Sequence, residues 1–238
     1  ASDLGEFDLL GQLVSDAEGN VYSTDSGNDR IEKFAADGGL LLTIPGVTDV
    51  RGVAVGDDGT IYAVTPTGVS RYGPTGTALG SWPAPDPLAI AISPVTGDVA
   101  LASDTTDTVE IYSPTGTFVR RFGDTGPNCG GNVSAIGGVA VADDGRVYVS
   151  DRGGDCISVF SEAGAFVDTF GTPGAGPGTF TSARQITVGP DGNVTIVDDI
   201  VDLVQTFTPS GGVVAIWGNV GIGSTFGTST TSTGLGGS

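Results

Sequence analysis

The sequence predicts an all-β fold: a β-propeller of four-stranded antiparallel blades. Three observations point there. A block of the form Gly-x-Val/Ile opens a strand at Gly19, Gly59, Gly97, Gly145 and Gly192, at spacings of 40, 38, 48 and 47 residues. An apolar run precedes each block, and a strand of alternating polarity follows it. No stretch beyond about ten residues has helical periodicity. A unit of four short strands repeated every ~40 residues is a propeller blade.

The elements follow in the same order in every repeat. The first strand is nearly all apolar: Gln12-Leu13-Val14, Gly52-Val53-Ala54-Val55, Ala89-Ile90-Ala91-Ile92, Gly138-Val139-Ala140-Val141 and Gln185-Ile186-Thr187-Val188. It is expected to be the buried, innermost strand. The second strand opens at the Gly-x-Val/Ile block. The third alternates and ends on an aromatic residue at Phe34, Tyr72, Tyr112, Phe160 and Phe207. The fourth ends on a large apolar residue, at Ile44, Trp82, Phe122, Phe170 and Trp217. Between them lie hairpin turns such as Asp57-Asp58-Gly59, Asp143-Asp144-Gly145 and Ser113-Pro114-Thr115-Gly116, whose glycines supply positive φ.

Five repeats are complete. A sixth begins at Gly221-Ile222-Gly223-Ser224-Thr225-Phe226, but no apolar strand follows it. The expected organisation is a propeller over residues 1–218, with five blades, or six with an incomplete or partner-completed last blade. Residues 219–238 form an uncharged tail rich in Gly, Ser and Thr, expected to be a linker or an assembly element.

Composition excludes several classes. Acidic residues outnumber basic ones 28 to 9, for a net charge of −19, so nucleic acid is not an expected partner. No apolar run approaches the ~18 residues of a membrane span, so no membrane insertion is expected. There is no histidine, which removes Ser-His-Asp and Cys-His catalysis and every His-ligated metal site. No cofactor or metal is expected, and the chain is expected not to be an enzyme. Cys129 lies in the long connector before the fourth repeat and Cys156 starts that repeat's third strand. With no Cys-x-x-Cys motif, the two are expected to form a disulfide that staples the connector. The pair, and a chain starting at Ala1, fit a secreted protein whose signal peptide has been removed.

The candidate site is the channel mouth. The residue just before each innermost strand is Gly11, Arg51, Leu88, Gly137 or Arg184. Two guanidinium groups in one register on an acidic chain present donor forks to a carboxylate, a sulfate or an acidic side chain. Arg51 and Arg184, with Gln12 and Gln185 beside the register, are therefore the candidate ligand-binding residues. The competing structural reading is an ion pair with Asp49, Asp86 or a neighbouring turn. Asp25, Asp151 and Asp198 recur after the second strand and are expected to cap turns. The glycine-rich run Gly171–Gly178 lacks the Lys and the following helix of a phosphate loop, so it is expected to be an inter-blade connector.

The segment from Gly138 to Asp151 resembles the core of an NHL repeat. So does Asn20 to Ile31, with Asp29 where that family usually has His, and Gly174 to Phe180 resembles its inter-repeat linker. Gly5-Glu6-Phe7 is a shorter copy of that linker. The resemblance covers residues 5–218. It implies a propeller, usually of six blades, in a family of binding modules, sensor domains and a few enzymes. The family's lyases rely on His and zinc, which this chain cannot supply through histidine. The expected function is a secreted, non-catalytic scaffold that binds a protein, peptide or glycan. The alternatives are a self-assembling extracellular subunit, as a homo-oligomer or filament, and, last, a carboxylate-metal lactonase or lyase.

Overall fold

The computed structural model describes residues 6–218 apart from 104 and 125. It is a propeller of five blades, each a meander of four antiparallel strands. Blade 1 comprises Leu10–Ser15, Val21–Asp25, Arg30–Phe34 and Leu40–Pro45. Blade 2 comprises Gly52–Val55, Ile61–Thr65, Gly68–Tyr72 and Ala78–Pro83. Blade 3 is Ala89–Ile92, Val99–Ser103, Thr108–Tyr112 and Phe118–Phe122. Blade 4 is Ile136–Val141, Val147–Asp151, Cys156–Phe160 and Phe166–Phe170. Blade 5 is Ala183–Val188, Val194–Asp198, Leu203–Phe207 and Val213–Gly218. The only helical element among the described residues is a 3-10 turn, Ser26–Asn28. The tail and the start of a sixth repeat lie outside the described residues.

The repeated glycine has one backbone role. Gly19, Gly59, Gly97, Gly145 and Gly192 all have φ between 73° and 81°, a left-handed conformation that closes the first hairpin of each blade. In four of the five turns a carboxylate braces the far side: Asp16 accepts the Asn20 N–H, Asp58 that of Thr60, Asp144 that of Arg146 and Asp191 that of Asn193.

The core lies between blades. One residue of each second strand meets its counterpart on the next blade: Tyr22 and Ala63 share one cluster, Tyr62 and Leu101 the next, then Ala100 and Val149, then Tyr148 and Ile196. The middle strands are the most deeply buried. The innermost strands are buried as expected in blades 2, 3 and 4, where Val53, Ile90 and Val139 are 0%, 3% and 5% exposed, but those of blades 1 and 5 are largely exposed.

The innermost strands pack in succession from blade 1 to blade 5, but blade 5 makes no comparable contact with blade 1. The two outer faces register the difference. Trp217 is 48% exposed, whereas Ile44, Trp82 and Phe122 at the same register are 3%, 8% and 6% exposed. Leu13 is 56% exposed, against 0% for Val53 at its register. The connector aromatics repeat the contrast: Phe180 packs on Phe207 and is fully buried, whereas Phe7 packs the same way on Phe34 and is 42% exposed. The second-strand residues at the inter-blade register on these two faces are Thr195 and Ser23, both hydroxylic, where the four packed interfaces are apolar or aromatic.

Cys129 and Cys156 form the expected disulfide, with Cα atoms 6.1 Å apart and a sequence separation of 27. It ties the connector between blades 3 and 4 to the third strand of blade 4.

Candidate functional site

The innermost strands of all five blades surround a cavity of about 640 Å³. This lies within the ~300–1,000 Å³ of small-molecule sites. Successive first strands run the same way, so the residues that precede them gather at one end. Arg51, Leu88, Gly137 and Arg184 line the cavity there, as do Gln12 and Gln185. Toward the other end the wall is Val55, Ile92, Val141 and Val188. Among the described residues no blade covers the outer face of blade 5, and Thr195 and Val197 of its second strand also line the cavity. Among the described residues, the only charged side chains on the lining are the two arginines.

Each arginine is anchored by its backbone strand and paired at its tip. The Arg51 N–H donates to the Val64 carbonyl, which fixes the residue at the hairpin's end. Its Nη1 lies 2.6 Å from Asp86 Oδ1, and Asp86 Oδ2 accepts the Thr105 hydroxyl at 2.5 Å. The Thr105 hydrogen bond and the Arg51 charge together hold the Asp86 carboxyl below its usual range. Arg184 pairs through Nε with Asp199. This second pair was legible in principle: Ala183 and Asp198 are cross-strand partners in one hairpin, so residues 184 and 199 are diagonal neighbours. The structural reading of Arg51 as the partner of Asp86 therefore holds. Yet each pair engages one nitrogen, Nη1 of Arg51 and Nε of Arg184, and both side chains stay substantially exposed. Among the described residues, the remaining guanidinium nitrogens have no hydrogen-bond partner.

The two glutamines differ. Gln12 Oε1 accepts the Val53 N–H at 3.1 Å, a bond between blades 1 and 2. It can approach because residue 52 is glycine: a Cβ there would lie 2.8 Å from Gln12 Oε1. Gln185 is exposed, and within the described residues it makes no hydrogen bond. Gly137 brings blades 4 and 5 together at the mouth, where a Cβ would sit 2.3 Å from the Ala183 carbonyl oxygen.

The recurrent acids serve the scaffold. Asp25 accepts the Asp8 N–H, Asp151 that of Ser134, and Asp198 those of Thr181 and Ser182. Each carboxylate thus caps the backbone that enters its own blade. Cys129, Asp151 and Cys156 lie within 4.8 Å of one another, but the two sulfurs are bonded together and Asp151 is committed to backbone amides. That group is a structural knot, not a metal site. The run Gly171–Gly178 is the connector it was expected to be: Gly178 N–H donates to Gln205 Oε1, and Gln205 Nε2 donates to the Thr179 carbonyl.

With this geometry in hand, the chain can be set beside known proteins. A family model described as a 6-bladed beta-propeller matches residues 131–208. No curated protein matches. Among solved structures, a streptogramin B lyase superposes with a TM-score of 0.69 at 17% identity, covering 86% of this chain and 67% of that one. A catalytically inactive virginiamycin B lyase from Staphylococcus aureus, solved with quinupristin, superposes with a TM-score of 0.66 at 19% identity, covering 85% and 67%. The Kuenenia stuttgartiensis hydrazine synthase gives 0.58 at 17% identity, covering 71% and 48%. At these identities the likeness shows the fold: the chain is a β-propeller. It also overturns the expectation that the chain is not an enzyme, because the structures it matches include propeller lyases. Loss of histidine chemistry removes particular mechanisms without removing catalysis as a class.

Proposed function

We propose that this chain is a secreted, NHL-like propeller that binds a ligand at the channel mouth, with Arg51 and Arg184 receiving an anionic group of a protein, peptide or glycan. The observation that carries this reading is the lining of the cavity. On a chain of net charge −19, the charged side chains that line it are both cationic, and each keeps donors outside its ion pair. Gln185 adds an uncommitted amide at the same rim, whereas Gln12 is tied to blade 2 and shapes the wall. The disulfide supports an extracytoplasmic setting. The test is a glycan and peptide array probed with the native chain and with an Arg51→Ala/Arg184→Ala variant, the recovered ligand being weighed for chemical change. Loss of binding in the variant supports the site, and unchanged binding refutes it.

A second reading, self-assembly, is favoured by the outer faces of blades 1 and 5, which are unpacked among the described residues. Leu13 and Trp217 occupy registers that are buried in three of the other four blades. Leu13→Asp and Trp217→Asp each disable one face. If copies associate head to tail through these faces, each variant alone stays monomeric and an equimolar mixture forms a dimer. A native chain that stays monomeric at high concentration rejects this reading.

A further inference from the structure

We infer that the channel ligand is an amphipathic anion: a carboxylate or sulfonate head held between Arg51 and Arg184, on an apolar body that enters the channel. This rests on the binding reading above and narrows it to a chemical class.

The inference comes from the change in character along the cavity. At the rim, the arginines offer guanidinium donors and Gln185 an amide. Within one strand length the wall becomes aliphatic, with Val55, Ala91, Ile92, Val141 and Val188 facing the space. A small hydrophilic anion would satisfy the rim and leave that wall in contact with water. A neutral apolar molecule would cover the wall and leave the arginine donors unanswered. A molecule with both parts answers both, since apolar burial is favourable in proportion to area and hydrogen bonds to an ionised group are the stronger kind. The cavity volume suits such a body, being of the size that accepts a drug-sized molecule. The ion pairs leave donors for the head. Asp86 and Asp199 approach Arg51 and Arg184 from outside the lining, each through a single arginine nitrogen, so a second oxyanion meets the nitrogens they leave.

The experiment uses three probes on the folded full chain. Anilinonaphthalene sulfonate has both parts, N-phenylnaphthylamine has the same apolar body without the charge, and methanesulfonate has the head alone. The expected result is one sulfonate dye per chain, bound about tenfold or more tighter than the neutral dye. The Arg51→Ala/Arg184→Ala variant, whose changes lie at exposed positions and whose fold is checked by circular dichroism, is expected to lose about that tenfold for the sulfonate dye and nothing for the neutral one. Methanesulfonate is expected not to displace the dye. If methanesulfonate competes as well as the dye binds, the anion site stands and the amphipathic inference falls. If both dyes bind alike and the arginine variant changes neither, the site and the inference fall together. Dye on the exposed apolar residues of the fourth strands, such as Phe118 and Val167, would give that second pattern.

Discussion

Gln205 and Glu32 hold the same register in the third strands of blades 5 and 1, yet among the described residues only Gln205 is satisfied. Gln205 clamps the Gly178 N–H and the Thr179 carbonyl. Among the described residues, both carboxylate oxygens of Glu32 are buried without a hydrogen bond, with Arg30 Nη1 at 3.5 Å as the nearest cation. Arg30 does not depend on Glu32, because its Nε lies 2.7 Å from Asp25 and its Nη2 donates to the Glu6 carbonyl. Glu32→Gln removes a buried charge and restores the amide that blade 5 uses. It is expected to stabilise the fold by about 1 kcal/mol, read as a raised denaturation midpoint. A lowered midpoint would show that the Arg30–Glu32 attraction is the larger effect.

The two tryptophans at one register test the unpacked sector. Trp82 is packed between Tyr62 and Tyr112, and Trp82→Ala is expected to cost about 3–5 kcal/mol. Trp217 lacks a facing blade among the described residues, and Trp217→Ala is expected to cost about 1 kcal/mol. Equal losses in urea unfolding would mean that the outer face of blade 5 is covered in solution.

The disulfide closes a loop of 27 residues. Chain-entropy arguments put its contribution at about 3–4 kcal/mol. The Cys129→Ala/Cys156→Ala variant is expected to unfold at correspondingly lower denaturant. The native chain is expected to show no reactive thiol when unfolded without reductant.

Acid should weaken blade 1 through Asp16. Burial alone would raise its pKa, but hydrogen bonds from Asn20, Tyr22 and Lys33 outweigh it and bring the value from 3.8 down to about 2. A carboxyl whose pKa is lower in the folded state stabilises the protein above its unfolded value, and that contribution is lost as pH falls from about 4 to about 2. Asp16→Asn is expected to flatten that part of the stability–pH curve.

Asp86 should compete with the ligand. Its pair with Arg51 is exposed, so solvent screens the attraction and a ligand anion can replace it. Asp86→Asn is therefore expected to tighten an anionic ligand by up to about fivefold in titration calorimetry. A weakened complex would place Asp86 among the groups that orient Arg51.

The blades were legible because their turns obey backbone chemistry. Gly19 and its four counterparts are needed for positive φ, so the repeat appears in the sequence whatever the side chains do. Arg51 and Arg184 were legible as exceptions in an otherwise uncharged register. The partners were less visible. Asp86 could be named among the choices, while Asp199 required the hairpin register of blade 5. Gln12 read as a ligand residue, yet it bonds across to Val53, a contact set by the angle between blades, which no local pattern records. The exposure of the first strands of blades 1 and 5 was hidden for a related reason. Apolar composition shows that a strand avoids water, but not whether a neighbouring blade covers it.

Because blades 1 and 5 do not pack on each other, the described blades form a row with two ends. In such a row each blade is supported only by its neighbours. Amide hydrogens should therefore exchange first in blades 1 and 5 and later in the blades between them, as fraying works inward. The disulfide fastens blade 4 to the connector that follows blade 3, so fraying from the blade 5 side should stall there while fraying from blade 1 runs further.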